Sequence, residues 1–300
     1  MLLSKVARTQ HSIKSVILKR EVVIDLFIPN DLLGNEILNL LLLNDGQDAT
    51  ALDLEQTFTE LYDKKRLEPT VLVAIHASEN RTQEYGVAGA PDFLNRGASA
   101  GLYRDFVFTE LLPYIQEQVG MPILGKKGFA GCSLGGISAF DIVWNNAEYF
   151  DLAGVFSGAF WWRKKDLKDG YTDEDRIVHE MIRKADGIEK LAVDQEPAAR
   201  IPEGSSVAEG SPVPETGGSP KLKFWLMTGT EDETADRNHN LIIDSIDDTI
   251  DIIKELLKKG YQRPENITYY EMVGGKHDVE TWSKVMPAFL CWAFGRKNAL

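Results

Sequence analysis

The pattern of hydrophobic and polar positions along the chain predicts strands and helices that alternate. Short continuous apolar runs are typical of strands buried on both faces, and longer stretches with an apolar residue every three or four positions are typical of amphipathic helices. The predicted strands are 15–18, 21–29, 38–43, 71–76, 127–132, 152–156, 223–227 and 267–273. The predicted helices are 50–65, 102–119, 134–143, 173–184, 245–259 and 279–294. This alternation predicts an α/β fold with a mostly parallel central sheet flanked by helices, in which the first two strands form an antiparallel lead-in.

Two stretches interrupt the alternation. Residues 77–100 form a long predicted loop, and loops of that length are usually functional or mobile. Residues 163–220 begin with a charged part that contains the helix 173–184, and 197–220 is rich in Pro, Gly, Ser and Glu, which predicts a flexible loop. Since the strand pattern resumes afterwards, we expect one domain over 1–300 that carries a small cap insertion at 163–220.

Composition and charge restrict the partners. The chain has 300 residues and a formal net charge of −13, so its long-range field would repel nucleic acid and anionic membranes. A small-molecule substrate is therefore expected. The two cysteines, Cys132 and Cys291, predict neither a disulfide framework nor a zinc cluster. The amino-terminal residues lack the apolar core of a signal peptide, which predicts a cytoplasmic protein, and nothing in the pattern indicates an oligomeric state.

The segment Gly131-Cys132-Ser133-Leu134-Gly135 matches G-x-S-x-G. This motif forms a sharp turn between a strand and a helix that exposes a serine at the top of an α/β-hydrolase sheet. The predicted strand before it and the apolar helical pattern after it supply the required context. Ser133 is therefore the candidate nucleophile.

A serine hydroxyl needs a base within hydrogen-bond reach, and the base needs a group that orients it. His277 lies in the glycine-rich segment 273–278 directly after the last predicted strand, where this fold places its base. The acid should follow the strand 223–227, and Asp232 is the first choice although Glu231 and Glu233 flank it.

An oxyanion hole needs two backbone N–H donors. One is expected from Leu134, the residue after the nucleophile. The other is expected from the polar loop after the strand 38–43, at Gly46 or Gln47.

These motifs resemble the esterase group of α/β-hydrolases that includes enterobactin esterases, S-formylglutathione hydrolase and feruloyl or acetylxylan esterases. The resemblance runs from about residue 16 to residue 294, and its carriers are the N-D-G-Q-D loop at 44–48, the G-C-S-L-G-G turn at 131–136, F-S-G-A-F-W-W at 156–162 and G-G-K-H-D at 274–278. Lys276 is a departure, because close relatives often have glycine directly before the histidine. Some siderophore esterases of the group work with a Ser–His dyad, which leaves the identity of the acid open.

The resemblance also implies residues that contact the substrate. Arg81 and Glu84 resemble an R-x-x-E pair that precedes an E-L-L-P helix, here at 110–113. Trp161 and Trp162 end the S-G-x-x-W-W motif of the siderophore-esterase branch. These tryptophans could line a pocket for an aromatic or sugar ester, and packing under the cap is an equally good explanation.

A second signal lies between residues 236 and 247. Oxygen-bearing side chains occupy positions one, three, five, nine and twelve of a calcium loop of the EF-hand or dockerin type: Asp236, Asn238, Asn240, Asp244 and Asp247. Leu241 stands where such loops have glycine. The alternative is a polar loop that leads into a helix with a capping box formed by Ser245 and Asp248. No cofactor is otherwise expected.

The sequence thus predicts a serine esterase that hydrolyses a carboxylic ester through an acyl-enzyme on Ser133, with a siderophore, carbohydrate ester or aromatic ester as substrate. One alternative is an acyltransferase of the same fold, in which an alcohol outcompetes water. Another is a binding module that kept the fold and lost turnover.

Overall fold

The computed structural model describes residues 5–185 and 221–296. Within them, eight strands form one sheet in the order β1-β2-β4-β3-β5-β6-β7-β8. The strands are β1 (Val6–Ser15), β2 (Arg20–Pro29), β3 (Asn39–Asn44), β4 (Thr70–Ile75), β5 (Lys127–Cys132), β6 (Leu152–Phe156), β7 (Lys223–Glu231) and β8 (Ile267–Lys276). The six strands from β3 to β8 pair in parallel, which confirms the predicted fold class.

Eight α-helices connect these strands in the described part of the chain. They are α1 (Leu54–Asp63), α2 (Arg81–Glu84), α3 (Ala100–Phe106), α4 (Leu112–Val119), α5 (Leu134–Trp144), α6 (Ile177–Lys184), α7 (Asp244–Lys258) and α8 (Val279–Phe294). The predicted helix 102–119 is interrupted by a π-helical turn at Val107–Leu111. Leu112 begins α4 directly after this turn, and Pro113, which has no N–H to donate, is the second residue of α4.

The antiparallel lead-in is present, but its first strand was predicted too late in the chain. β1 ends at Ser15, where the sequence pattern predicted a strand to begin, and it pairs with β2 over ten residue pairs. β1 is an edge strand with many polar, exposed positions, so it lacks the apolar run used to recognise strands. His11 lies in this strand opposite Ile24.

Helices cover both faces of the sheet. Alternate residues of β3 divide between two cores: Leu40 and Leu42 belong to one, and Leu41 and Leu43 to the other. The first core also contains apolar side chains of α4, α5, α6 and α7, and the second contains those of α1 and α8. This layering leaves the carboxyl ends of the parallel strands open at one edge, where ligands bind in open α/β sheets.

Part of the predicted cap, residues 163–185, lies in the described structure. Arg176 bonds to Asp248 at 2.6 Å and to Asp251 at 2.7 Å, and both carboxylates belong to α7. The cap helix α6 is thereby tied to the main domain by ion pairs. The predicted flexible loop 197–220 lies outside the described residues, and the assignment of 1–300 to one domain stays a prediction. Among the described helices, none combines the length and the apolar character that crossing a membrane requires.

Gly154 in β6 tests how tightly the second core is packed. A Cβ atom at this position would lie 2.5 Å from the ring of the buried Phe289 and 2.9 Å from Ala130. We expect Gly154→Ala to lower the free energy of unfolding by about 1–3 kcal/mol, the usual cost of overpacking a core. Urea denaturation measures this change.

Gly101→Ala is the matched control. No atom lies within 4 Å of the added methyl, and Gly101 belongs to α3, so alanine should raise the stability by up to about 1 kcal/mol. Equal effects of both substitutions would contradict the packing argument.

Candidate active site

The sequence-predicted nucleophile, acid and base follow three strands of one parallel group. Ser133 follows β5, Asp232 lies just beyond the end of β7, and His277 follows β8. β6 lies between β5 and β7, and Ser157 follows it directly. Because parallel strands end on the same side of a sheet, the four residues meet at its carboxyl edge.

The turn at Ser133 has the geometry that the G-x-S-x-G motif predicts. Ser133 has φ 54° and ψ −121°, a conformation that L-residues rarely adopt. A Cβ atom on Gly131 would lie 2.4 Å from the Gly135 carbonyl oxygen, so only glycine allows this close approach. The Ser133 N–H donates to the Phe156 carbonyl at 2.8 Å, which fixes the turn against β6.

Asp232 is buried, with 8% of its surface exposed. Its Oδ1 accepts a hydrogen bond from the Ser157 hydroxyl at 3.0 Å, and its Oδ2 is buried without a hydrogen-bond partner among the described residues. Burial raises the pKa of Asp232, whereas the Gly229 N–H, the Ser157 hydroxyl and the nearby His277 oppose that rise. Oδ2 is therefore a free acceptor on a carboxylate that interacts electrostatically with His277.

His277 lies with its ring edge-on to Trp282, with the ring centroids 5.3 Å apart. His277 as a whole residue is exposed, but partial desolvation of its ring lowers its pKa; the negative charge of Asp232 opposes this shift, and Arg81 lowers the pKa further. A pKa below the ordinary value keeps the imidazole neutral at pH 7. A neutral imidazole next to a serine can act as a general base.

The structure separates the three candidate acids. Glu231 is exposed at the end of β7, where its register partner is Lys276. Glu233 accepts a hydrogen bond from the Ser245 N–H, and burial raises its pKa. Only Asp232 bonds to Ser157 beside the histidine, so the geometry favours it, and its catalytic role stays a prediction.

The segment 45–48 is held next to the nucleophile turn. β3 and β5 are paired through Leu43 and Ala130, and the Asn44 amide donates to the Gly135 carbonyl at 2.8 Å. Asp45 has φ 62° and precedes a 3-10 turn at Gly46–Asp48. Leu134 is the first residue of α5, where backbone N–H groups have no partner within the helix.

Three further contacts fix this segment. Arg81 binds both carboxylate oxygens of Asp45, at 2.6 and 2.8 Å. The Gln47 side-chain oxygen accepts from the Ala77 N–H at 2.9 Å. A Cβ atom on Gly46 would collide with Ala74, whose carbonyl atoms are 2.6 Å away. The predicted oxyanion donors Gly46 and Gln47 therefore lie in a rigid turn, and their role stays a prediction.

The four residues that the resemblance linked to the substrate have different surroundings. Arg81 is engaged by Asp45, as described above. Glu84 is buried, and both of its oxygens accept from Arg20, at 2.8 and 2.5 Å. Trp162 is fully buried, and its indole N–H donates to the Ala90 carbonyl at 3.1 Å. Trp161 is half-buried under the guanidinium of Arg96, which lies 4.9 Å from its ring.

These contacts give each of the four side chains a structural role. A role in substrate binding stays a prediction for all of them. Of the four, only Arg81 and Trp161 keep a substantial exposed surface, with Arg81 about 30% exposed at the side chain.

Sequence reasoning missed the roles of Ser157 and Trp282. Ser157 was noted only as a letter of the S-G-x-x-W-W motif, and Trp282 only as part of an apolar helix face. The backbone of Ser157 is left-handed, with φ 46°, which no local pattern revealed. The spacing between His277 and Trp282 indicates a contact between their rings only when the conformation of the turn between β8 and α8 is known.

The loop 236–247 has several features of the calcium loop to which it was compared. Leu241 adopts the left-handed conformation, with φ 70°, that the glycine of such loops normally takes. Asp236 accepts hydrogen bonds from the backbone N–H groups of Asn240, at 3.1 Å, and Leu241, at 2.9 Å. The turn that the missing glycine made doubtful is therefore formed, with Leu241 almost fully exposed.

Other side chains that were predicted to bind calcium form hydrogen bonds with protein groups. The side-chain amides of Asn238 and Asn240 donate to the Asp247 carboxylate at 2.9 and 2.7 Å. Asp244 accepts from the Arg237 N–H at 2.9 Å. Among the described residues, no group of three or more His, Cys, Asp or Glu side chains is arranged to hold a metal ion. A calcium site here stays a prediction.

The alternative explanation was a polar loop that leads into a capped helix; the loop does lead into α7, but the capping box of Ser245 and Asp248 is wrong. α7 begins at Asp244 after Ile243, without a side-chain cap, so Ser245 lies inside the helix. Asp248 instead accepts hydrogen bonds from Arg176 and Arg237. These two buried guanidinium groups bind its carboxylate more strongly than one backbone N–H would.

Comparisons with known proteins agree with this geometry. The model of the family described as "Putative esterase" matches residues 15–293. A search of curated proteins found no match to the sequence.

Several solved structures have a similar fold. A ferulic acid esterase has a TM-score of 0.65 and 15% identity over 97% of this chain and 98% of its own. An enterobactin esterase from Shigella flexneri, solved in the presence of enterobactin, has a TM-score of 0.64 and 20% identity over 96% of this chain and 58% of its own. An IroE-like serine hydrolase from Shewanella oneidensis has a TM-score of 0.60 and 14% identity over 94% of this chain and 79% of its own.

The calcium prediction can be tested by thermal melts in chelator and in millimolar calcium. If the carboxylates of the loop gather around a cation, calcium should raise the melting temperature, with about 2.7 kcal/mol gained at a hundredfold excess over the dissociation constant. Asp236→Ala should abolish the shift, whereas Asp105→Asn, at an exposed residue outside the loop, should leave it intact. Identical melts in both buffers would contradict a calcium site.

Proposed function

Since the chain belongs to the esterase family whose model spans residues 15–293, we propose that it is a serine esterase that hydrolyses a carboxylic ester through an acyl-enzyme on Ser133. The observation that carries this proposal is the meeting of three groups at one edge of the sheet. They are the strained Ser133 turn, the neutral His277 and the buried Asp232 with its free Oδ2.

The reaction proceeds in two halves. His277 removes the Ser133 proton as Oγ bonds to the ester carbonyl carbon, and the carbonyl electron pair moves to oxygen. The oxyanion then collapses, the bond to the alcohol oxygen breaks, and the alcohol leaves with the proton from His277. Water attacks the acyl-enzyme in the same way, with His277 again as base, and releases the acid and Ser133.

The charge that develops on the carbonyl oxygen needs donors that are already in place. Leu134 supplies a backbone N–H from the start of α5, and Gly46 or Gln47 supplies the second. The Arg81–Asp45 ion pair and the Gln47–Ala77 hydrogen bond support this assignment, because they fix the segment before substrate arrives.

Asp232 orients the base. An N–H of the His277 ring would donate to the buried Oδ2 and leave the other ring nitrogen facing Ser133. That bond is not made in the structure, since Oδ2 has no partner among the described residues. Catalytic hydrogen bonds of this kind often tighten only when substrate binds.

We propose an aromatic, siderophore or carbohydrate ester as the substrate. Trp161, stacked with Arg96, offers a partly exposed aromatic surface that could contact such a group. Structural neighbours include a ferulic acid esterase and an enterobactin esterase, although their low identity carries only the fold. A panel of p-nitrophenyl acyl esters, feruloyl esters and catecholate siderophores separates these substrates.

Two alternative functions predict different results in such assays. An acyltransferase of the same fold would pass the acyl group to an added alcohol in preference to water, so product analysis with acceptors distinguishes it. A binding module without turnover would show neither a p-nitrophenol burst nor a steady state.

Ser133→Ala should abolish ester hydrolysis with little change in the free energy of unfolding. Loss of a nucleophile typically leaves only the rate that binding and oxyanion contacts supply, a fall of about 10⁴- to 10⁶-fold in kcat. Initial rates with a p-nitrophenyl ester, together with a thermal melt, measure both effects. Unchanged turnover would overturn the proposed mechanism.

Asp232→Asn should lower kcat by roughly 10²- to 10⁴-fold, because an amide cannot stabilise the imidazolium formed in the transition state. The Asp232 charge raises the pKa of His277, so its removal should also move the acid limb of the kcat/KM profile to lower pH. Glu231→Gln is the matched control at the neighbouring exposed carboxylate. Near-parental rates in both variants would show that the enzyme works with a Ser–His dyad.

A further inference from the structure

A buried chain of hydrogen bonds reaches the acid from α8. The Trp282 indole N–H donates to the Ser157 hydroxyl oxygen at 2.9 Å, and the Ser157 hydroxyl donates to Asp232 Oδ1 at 3.0 Å. All three residues are buried, with Ser157 1% exposed and the other two 8% exposed.

The donor and acceptor groups determine the direction of these two hydrogen bonds. An indole N–H can only donate, and an ionised carboxylate can only accept. Ser157 has one hydroxyl proton, so its oxygen must accept a hydrogen bond from Trp282 and its O–H must donate a hydrogen bond to Asp232. The serine hydroxyl is therefore held in one orientation without needing a water molecule or substrate.

The consequence for Asp232 is geometric. A carboxylate with one oxygen bound to Ser157 can no longer turn freely about its terminal torsion. The other oxygen, Oδ2, is left buried and without a partner among the described residues, and Asp232 is near enough to His277 for each to shift the other's pKa. The hydrogen bond at Oδ1 thus leaves Oδ2 as the oxygen available to the imidazole N–H.

Trp282 acts on the base as well. Its ring lies edge-on to the His277 ring, with 5.3 Å between centroids, and the interplanar angle is 81°. One indole therefore contacts the base directly and reaches the acid through Ser157.

We propose that Ser157 and Trp282 are positioning residues of the active site, which act by fixing the Asp232 carboxylate relative to His277. This inference rests on the proposed function and adds two residues that act through Asp232 and His277 rather than on the substrate. Their contribution should appear in kcat, and KM should change little, because substrate contacts are left in place.

Ser157→Ala removes the link and should lower kcat roughly tenfold to a hundredfold, as expected when a catalytic group loses its alignment. Ser138→Ala is the matched control, since Ser138 is a comparably buried serine on α5. Trp282→Phe keeps an aromatic ring at this position but removes the indole N–H together with part of the ring volume, and it should lower kcat in the same direction by a smaller factor.

Trp225→Phe is the control for the tryptophan. The Trp225 indole N–H is buried and has no hydrogen-bond partner among the described residues, so its removal should leave kcat unchanged. A thermal melt of each variant shows whether it is folded, and Trp282→Phe keeps the test open if Ser157→Ala does not fold.

Combined variants distinguish positioning from a general loss of structure. If both residues act through Asp232, Ser157→Ala should cause no further loss of kcat in the Asp232→Asn background, and Trp282→Phe should cause little further loss in the Ser157→Ala background. Losses that multiply in these combinations, or a Ser157→Ala enzyme as fast as Ser138→Ala, would overturn the inference.

The failure of the proposed function gives a different result. In that case the parental protein would hydrolyse no ester of the panel, or Ser133→Ala would keep full turnover. An active, Ser133-dependent parent whose Ser157 and Trp282 variants match their controls would refute the positioning role alone.

Discussion

The site depends on a backbone conformation at Ser133 that is unfavourable by itself. A left-handed non-glycine residue of this kind costs on the order of 1–3 kcal/mol, and it persists only where its surroundings impose it. Here the Ser133 N–H donates to Phe156 of β6, and its carbonyl accepts from Gly136 at 3.0 Å and from Ala159 at 3.2 Å. The turn is therefore held by the helix that follows it and by the neighbouring strand with its continuation. The position of the half-buried Ser133 side chain thus depends on the whole sheet edge.

The charges at this edge of the sheet are also fixed by local contacts. The protein is strongly acidic overall, yet the arginines near the site are each matched locally, Arg81 by Asp45 and Arg96 by Asp92. The Arg81–Asp45 pair is bidentate, and such pairs fix geometry as well as charge. Arg81 also lowers the pKa of His277, so one side chain holds the oxyanion segment and helps to keep the base neutral.

Features of the fold and the site that depend on a short stretch of sequence could be predicted, whereas features that depend on contacts between distant elements could not. The G-x-S-x-G turn, the parallel strands and the placement of His277 after the last strand are encoded in short stretches, and the fold class was predicted correctly. β1 was placed wrongly because a polar edge strand gains its order from pairing with β2 rather than from its own apolar pattern. The Ser157 and Trp282 contacts could not be predicted, since they join β6, β7 and α8, and only the sheet order brings those elements together.

The insertion between β6 and β7 has an evolutionary consequence. These strands are direct neighbours, with Leu152 paired to Lys223 and Phe156 to Met227, so the chain leaves the sheet and returns one strand away. The entropy of closing such an excursion grows slowly with its length, by only about 0.6 kcal/mol for each doubling. Selection can therefore lengthen, shorten or exchange the segment at low thermodynamic cost. Ser157, where the excursion begins, and Asp232, just beyond the far end of β7, keep their register through such changes because the pairing of β6 with β7 holds them.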